Sequence, residues 1–279
     1  MTQQLTIGYS PCPNDTYIFY ALVHGKVRIP GLAFRERLED VETLNRLALD
    51  NSLDLTKISY HALGRLRDQY ALLRSGGALG RGCGPLIVAC PGTTLADLKR
   101  GPVAIPGTLT TAWLLLRLYD PEVANVLAMP FDRIMAAVTD GTANAGLIIH
   151  ESRFTYPRHG LEKLLDLGEW WEQYSGLPIP LGGILGKRSL GTDVLLRVEA
   201  GIRDSVRYAH SHRDEVLGYV RRHSQEMDEA VMLQHIGLYV NDFSLDLGEE
   251  GAAAVRRLMG EAEARGVLPP SDRLLFAGA

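Results

Sequence analysis

The same order of sequence patterns occurs twice in this chain, ninety positions apart. The segment that begins at Leu49 and the segment that begins at Thr139 each carry a polar turn that leads into an apolar run. Around each turn the patterns follow the order strand, turn, helix, strand, helix, strand. A single chance match would not keep that order, so we interpret the two regions as related lobes with one architecture.

Short apolar runs punctuated by Gly and Pro alternate with helical periodicity, which is typical of the α/β class. The pattern predicts the helix Asp15–Val23, with Asp15 as its N-cap, and the helix Thr111–Tyr119. The predicted strands of the two lobes are Leu5–Tyr9, Phe34–Leu38, Asp54–Ser59, Pro102–Pro106, Asn125–Met129 and Ala145–Ile149.

Two segments predict places where the chain crosses between the lobes. The first is the Gly-rich stretch 71–90, in which the glycines of 76–84 are interpreted as a mobile loop at the cleft edge, followed by the apolar strand Pro85–Ala89. The second, 175–186, holds Pro and Gly close together. We therefore predict a first lobe of residues 1–91 and 181–279, which includes the C-terminal helices, and a second lobe of residues 92–180. Two crossings are typical of hinged proteins that close on a ligand in a central cleft.

Composition excludes several classes of function. The formal net charge is −4 and no run of Lys or Arg occurs, so a nucleic-acid partner is not expected. No apolar run approaches the ~20 residues of a membrane span, and the N-terminus lacks the pattern of a secretory signal, which predicts a cytoplasmic protein. The three cysteines lack metal-ligand spacing, and no phosphate loop or dinucleotide fingerprint is present, so neither a metal nor a cofactor is expected. The pattern does not predict an oligomeric state.

Ligands of parallel sheets bind beyond the carboxyl ends of the strands, beside helix N-termini. Four polar segments occupy that position, two from each predicted lobe: Ser10–Asp15, Lys57–Tyr60, Gly107–Thr111 and His150–Arg153. Their convergence predicts one ligand site between the lobes.

The turn Gly107–Thr111 leads directly into a predicted apolar helix. Free N–H groups and the positive end of the helix dipole favour a bound carboxylate or phosphate near Thr110 and Thr111. A plain Thr N-cap without a ligand is the alternative. In the first lobe, Ser10 and Asn14 lie in a loop stiffened by two prolines and could hydrogen-bond a ligand, or the loop could be only a rigid connection.

Lys57 and Ser59 share one face of their strand by the period-two rule. Lys57 could pair with a ligand carboxylate or extend to solvent, and Ser59 is a candidate contact at the strand tip. Cys12 is expected to be an inert small apolar side chain, because no base is evident beside it.

His150 follows the apolar strand that begins at Ala145. An imidazole at a strand's carboxyl end can act as a general base near neutral pH, whereas the alternative is a structural His bonded to backbone. Glu151 could orient it or be a solvated charge, and Arg153 could hold a carboxylate or pair with Glu151. The remaining histidines, including His235 on a predicted C-terminal helix, are less favoured.

The chain resembles the 1,4-dihydroxy-6-naphthoate synthases of the futalosine route to menaquinone. Segments carrying the resemblance cover nearly the whole chain: Ser10–Thr16, Leu38–Asn45, Arg74–Gly82 and Gly146–Tyr156. The resemblance implies a two-lobed fold like that of type II periplasmic binding proteins. It also implies a carbon–carbon lyase that splits cyclic dehypoxanthinylfutalosine into 1,4-dihydroxy-6-naphthoate and a sugar-derived fragment.

The same resemblance implies that His150 is the catalytic base. It implies substrate contacts at the strand end Lys57, Ile58, Ser59 and at the pair Thr110, Thr111, with no redox cofactor. Two other functions stay open: chorismate dehydratase, a sister enzyme of the same fold, and a non-catalytic solute-binding protein for a small carboxylate.

Overall fold

The computed structural model describes residues 2–224 and 228–278, which form two five-stranded sheets surrounded by helices. The first sheet contains β1 (Gln3–Tyr9), β2 (Leu32–Leu38), β3 (Leu55–Ser59), β4 (Tyr70–Gly80) and β10 (Ile179–Lys187). The second sheet contains β5 (Leu86–Ala89), β6 (Val103–Ile105), β7 (Val126–Ala128), β8 (Ala145–Ile148) and β9 (Glu162–Asp166).

The two sheets have the same topology. Their strand orders are β2-β1-β3-β10-β4 and β7-β6-β8-β5-β9. In each sheet the first three strands are parallel, and the fourth runs antiparallel to its neighbours. The duplicated pattern in the sequence therefore corresponds to two lobes of one design, and the predicted α/β fold is confirmed.

Twelve α-helices connect and cover the sheets within the described residues. Those of the N-terminal two-thirds are α1 (Pro13–Val23), α2 (Val41–Leu49), α3 (Tyr60–Leu66), α4 (Thr111–Tyr119), α5 (Ile134–Thr139), α6 (Ser152–Thr155) and α7 (Leu167–Ser175). The remainder are α8 (Thr192–Ser211), α9 (Arg213–His223), α10 (Glu229–Tyr239), α11 (Asp242–Leu245) and α12 (Gly248–Ala264). Short 3₁₀ turns occur at Leu95–Lys99, Phe131–Arg133, Tyr156–His159 and Arg188–Leu190.

The duplicated turns have the same local geometry. Asn51 and Gly141, ninety positions apart, both adopt a left-handed backbone, with φ of 53° and 79°. Asn and Gly are the residues that enter this region at least cost. Each turn reverses the chain after a helix and starts the strand, β3 or β8, that ends at the cleft.

Helix starts follow ordinary capping chemistry, with one correction to the predictions. Thr110 caps α4 by accepting from the N–H of Trp113 at 3.3 Å, as its sequence position predicts. Asp15 does not cap α1, since the helix begins at Pro13 with Cys12 as N-cap. Proline lacks an N–H and fits the first helical position, which moves the helix start forward. The Asp15 carboxylate is thereby released for another contact.

The predicted mobile loop at 76–84 is also corrected, because its residues up to Gly80 belong to a strand. The strand predicted at Pro85–Ala89 corresponds to β5. Residues Tyr70–Gly80 form β4, which pairs with β10 and is almost wholly buried. The pairing shifts register around Gly182, and Gly76 takes a φ of 82°. Glycines here allow β4 and β10 to pack closely and bend, so they mark a bulged central strand.

One apolar cluster runs continuously from the first lobe to the second. It joins Tyr60 of α3 and Leu72 of β4 to Leu115 of α4 and Leu147 of β8. Strand β5 belongs to the second sheet and β10 to the first, so the chain crosses between lobes before Leu86 and again before Ile179. The division of lobes at residues 91 and 180 stays a prediction. Among the described helices, none combines the length and apolarity needed to cross a membrane.

Candidate active site

A cavity lies between the two sheets, at the strand ends that the sequence indicates. Its empty volume is about 660 Å³, including space open to solvent. The predicted site residues that line it are Ser10, Asn14, Lys57, Ile58, Ser59, Thr110, Thr111 and His150. Side chains from both lobes therefore meet in one site.

The first-lobe wall is organised by a buried ion pair. Lys57 Nζ lies 2.9 Å from Asp15 Oδ1 and also donates to the carbonyl of Gly76 at 3.2 Å. The other Asp15 oxygen accepts from the hydroxyl of Ser10 at 2.8 Å. Lys57 does not extend to solvent, because Asp15 pairs with it inside the protein, and its contact with a ligand carboxylate stays a prediction. One of its three ammonium protons stays available toward the cavity.

Three hydroxyl groups at the cavity differ in what they can still bind. Thr110 Oγ1 donates to Gly107 O at 2.8 Å, and Thr111 Oγ1 donates to Leu181 O at 2.5 Å. Thr111 also accepts from the N–H of Tyr60 at 2.8 Å, so its hydroxyl fastens one lobe to the other. Ser59 Oγ accepts from Asn45 Nδ2 at 3.2 Å and keeps its proton for a ligand. The Thr110 N–H also donates to Gly107 O, at 3.5 Å, so the groups left for a ligand at this helix start are the backbone N–H groups of Thr111 and Ala112.

A protein carboxylate already contacts the predicted anion loop. Glu42, on α2 of the first lobe, accepts from the N–H of Leu109 at 3.1 Å. Glycine is favoured at position 107 because φ is 151°, and a side chain there would also displace the Glu42 carboxylate. The loop thus binds a carboxylate of the protein itself, which joins the two lobes, and binding of a ligand anion at this loop stays a prediction.

His150 is placed by an unusual backbone. It follows β8 with a φ of 57°, a left-handed conformation that only Asn51 shares among the described non-glycine residues. Such conformations are concentrated at functional sites, where surrounding structure enforces them. The ring lies 4.9 Å from that of Phe131, and no described residue hydrogen-bonds to its nitrogens. Desolvation lowers the pKa of His150 to about 4, with Asp15 opposing this and Lys57 adding to it, so the ring is neutral at pH 7.

His235, which sequence reasoning set aside, lies in the same cavity. Helix α10 buries it with 1% exposure, its Nε2 lies 3.0 Å from Asn14 Oδ1, and its ring is parallel to that of His150 at 6.1 Å. His235 and Asn14 are 221 positions apart, so no local pattern could have paired them. His61, which the sequence placed near the cleft, is buried in α3 and is not among the lining residues.

Cys12 lies closer to acid–base groups than its sequence context indicates. Its Sγ, a His150 nitrogen and a Glu151 oxygen are within 4.8 Å of one another, an arrangement whose donor types could hold a metal ion. Burial, followed by the charge of Glu151, raises the pKa of the Cys12 thiol well above its ordinary value. A thiol held protonated in this way is a poor nucleophile, in agreement with its predicted inertness. The absence of a metal stays a prediction.

Arg153 is turned away from the cavity. Its guanidinium pairs with Asp166 at 2.7 Å and donates to the carbonyl of Gly84. Arg153 is not among the lining residues, and it pairs with Asp166 and not with Glu151. Its position supports a structural role, joining α6 to the end of β9.

Two related α/β lobes around a central cavity define the class of periplasmic-binding-protein-like folds. An alkanesulfonate-binding protein of Xanthomonas axonopodis pv. citri, solved with bound MOPS, superposes with a TM-score of 0.73 at 17% identity over 99% of this chain and 98% of its own. At that identity the likeness concerns the fold alone.

Within that class, the chain belongs to the menaquinone biosynthesis family, whose model matches residues 5–264. It is 54% identical to 1,4-dihydroxy-6-naphthoate synthase of Thermus thermophilus over 98% of this chain and 99% of the relative. The identity to the synthase of the same name from Streptomyces coelicolor is 49%, covering 98% of each. A crystal structure from Archaeoglobus fulgidus superposes with a TM-score of 0.89 at 37% identity, covering 95% of this chain and 98% of that one. The resemblance found in the sequence is confirmed.

Proposed function

We propose that this chain is a cytoplasmic carbon–carbon lyase, a 1,4-dihydroxy-6-naphthoate synthase that acts on cyclic dehypoxanthinylfutalosine with His150 as general base. The observation that carries the proposal is the position of the His150 imidazole. The ring is held at a strained backbone position, accepts no hydrogen bond from the described residues and lines the cavity between the lobes. The two curated relatives bear the name of this enzyme.

The substrate carboxylate is bound at the start of α4. The N–H groups of Thr111 and Ala112 open the helix, have no acceptor among the described residues, and belong to residues that line the cavity. The Ser59 hydroxyl and the remaining Lys57 proton add two donors from the opposite lobe. Helix N-termini favour anions through aligned dipoles and free N–H groups, so a carboxylate fits here without a further cation.

His150 starts the reaction by taking the proton of a substrate hydroxyl. The oxygen's electron pair then forms a carbonyl as the neighbouring carbon–carbon bond breaks. The electrons of that bond pass into the ring that becomes the naphthalene diol, whose oxygen takes up the proton carried by His150, and aromatisation supplies driving force. A neutral imidazole is the form of histidine that can accept a proton, and the lowered pKa of His150 keeps it in that form. Closed lobes exclude water from the reacting carbons.

The test is a product assay with purified protein. Incubation with cyclic dehypoxanthinylfutalosine, followed by mass spectrometry, is expected to show 1,4-dihydroxy-6-naphthoate with wild type and a loss of about 10²–10⁴-fold in rate with His150→Ala. His159→Ala, at an exposed histidine outside the cavity, is the matched control and should keep full turnover.

Two outcomes would contradict the proposal. Loss of water from chorismate would identify the sister dehydratase. Tight binding of the substrate without any product would instead identify a solute-binding protein.

A further inference from the structure

We propose that His235 is a second catalytic residue of this cavity, whose unprotonated Nδ1 accepts a hydrogen bond from a hydroxyl group of the substrate. The inference rests on the proposed function and adds a residue that contacts the hydroxyl-bearing part of the substrate. The carboxylate-bearing part is bound at the other wall, by the start of α4.

A chain of hydrogen bonds fixes the tautomer of His235. Asn14 Nδ2 donates to Asp15 Oδ1 at 2.9 Å, and the same oxygen accepts from Lys57 Nζ at 2.9 Å. A carboxylate paired with an ammonium group can only accept, so the amide nitrogen of Asn14 must face Asp15. Asn14 Oδ1 therefore faces His235, 3.0 Å from Nε2, and it too can only accept. Nε2 must carry the ring proton.

The other nitrogen is left with a lone pair and no donor. Burial, with the nearby His150 and Lys57, holds the pKa of His235 well below its ordinary value, so Nδ1 gains no second proton at neutral pH. Nδ1 is fully buried and has no hydrogen-bond partner among the described residues. The nearest carboxylate oxygen, Glu151 Oε2, is 3.7 Å away, beyond hydrogen-bond range.

Buried acceptors without a donor are rare in folded proteins, and those found in a cavity wall point to a ligand. The partner of Nδ1 must carry an O–H or N–H, which excludes a carboxylate oxygen. In the proposed substrate, the hydroxyl groups meet this requirement.

The position of His235 relative to His150 indicates a separate role for each ring. Their planes are parallel within 7° and their centroids are 6.1 Å apart, and both rings line the cavity. A hydroxyl-bearing fragment that reaches His150 is thus within reach of His235. His150 removes a proton from one hydroxyl, and His235 holds a hydroxyl in place by accepting its hydrogen bond.

Two substitutions distinguish the roles of the two ring nitrogens of His235. His235→Gln places an amide near Nε2, which keeps a donor for Asn14 and removes the acceptor at Nδ1. His235→Asn places an amide near Nδ1, which can still accept from the substrate but loses Asn14. We expect His235→Gln to lower kcat/KM by about 100-fold, and His235→Asn by about tenfold or less.

A purely structural role would not produce the next result. The measurement uses substrate analogues that each lack one hydroxyl. For the analogue that lacks the hydroxyl bound by His235, the kcat/KM of wild type should be about 100-fold lower than for the full substrate. His235→Gln should process that analogue and the full substrate at equal rates. In wild type labelled with ¹⁵N at histidine, binding of 1,4-dihydroxy-6-naphthoate should shift the His235 Nδ1 resonance in the direction of hydrogen-bond acceptance.

The outcomes separate the two proposals. Wild type without any turnover overturns the proposed function and this inference with it. Normal turnover by His235→Gln, or an unmoved Nδ1 resonance in a wild type that binds the diol, overturns the inference and leaves the proposed function standing. If His235→Gln fails to fold, the resonance measurement on wild type decides alone.

Discussion

The carboxylate of Glu42 and the backbone N–H of Leu109 form a 3.1 Å hydrogen bond that joins the two lobes. Glu42 is buried on α2, and the loop it contacts is the turn that starts α4. The lobes are thus held together by an anion bound to the same loop that is proposed to bind the substrate's anion. Closure and substrate binding use neighbouring N–H groups of one helix start.

Removing the Glu42 carboxylate is expected to weaken binding more than chemistry. Glu42→Ala breaks the contact with Leu109, so a smaller fraction of the protein is closed and KM rises by about tenfold with little change in kcat. Glu42→Gln keeps an acceptor for the Leu109 N–H, so its KM should lie between those of Glu42→Ala and wild type. Steady-state kinetics checks this, and a fall in kcat with unchanged KM would assign Glu42 to the chemical step.

The buried ion pair of Lys57 and Asp15 predicts that removing Asp15 alone destabilises the protein more than replacing both residues. Their side chains are 6% and 3% exposed, so Asp15→Ala leaves an ammonium group buried without its counter-charge. We expect a loss of about 3–5 kcal/mol in the free energy of unfolding. The double variant Asp15→Ala/Lys57→Met should recover a large part of that loss, because no uncompensated charge remains. Urea denaturation measures all three proteins, and additive losses in the double variant would contradict the pairing.

The pH dependence of turnover follows from the lowered pKa of His150. The ring stays neutral until the pH approaches about 4. The plot of kcat/KM is therefore expected to be flat from pH 7 to about 5, and then to fall tenfold per unit as the base is protonated. An acid limb centred near 6.5, the ordinary pKa of histidine, would show that the ring is solvated in the free enzyme.

The cleft could be predicted from the sequence because the ends of strands depend on neighbouring residues in the chain. The apolar runs, the Asn51 and Gly141 turns and the Thr110 cap are each fixed by neighbouring residues, and parallel sheets bring such ends together. Sequence reasoning missed His235 and Glu42, which reach the site from α10 and α2 through packing between distant segments. Arg153 was nominated by its adjacency to His150, yet the backbone turn at His150 sends it toward Asp166.

The ion-pair partner of Lys57 could not be predicted for a similar reason. Whether a lysine at a strand end faces a ligand or solvent depends on what lies opposite, and opposite Lys57 is Asp15 on α1. The shift of that helix start to Pro13 released the Asp15 carboxylate, and no spacing rule connects positions 15 and 57. Polar side chains at strand ends can thus be predicted as a set, whereas their pairing requires the packed structure.

The buried histidines predict that acid destabilises the fold well before its carboxylates titrate. Burial lowers the pKa of His61 to about 4, and desolvation lowers that of His150 to about 4. The unfolded chain binds protons at these rings from about pH 6.5 downward, whereas the folded protein binds them only near pH 4. Stability is therefore fully present above pH 6.5 and is lost as the pH falls toward 4, by about 1.4 kcal/mol per unit for each ring.

Urea unfolding at intervals across this range measures the slope of the free energy of unfolding against pH. His61→Leu, which removes a ring that is 2% exposed and lies outside the cavity, should reduce the slope by about one proton. The same substitution at the exposed His159 is the control, and an equal slope in His61→Leu and wild type would mean that His61 is protonated alike in both states.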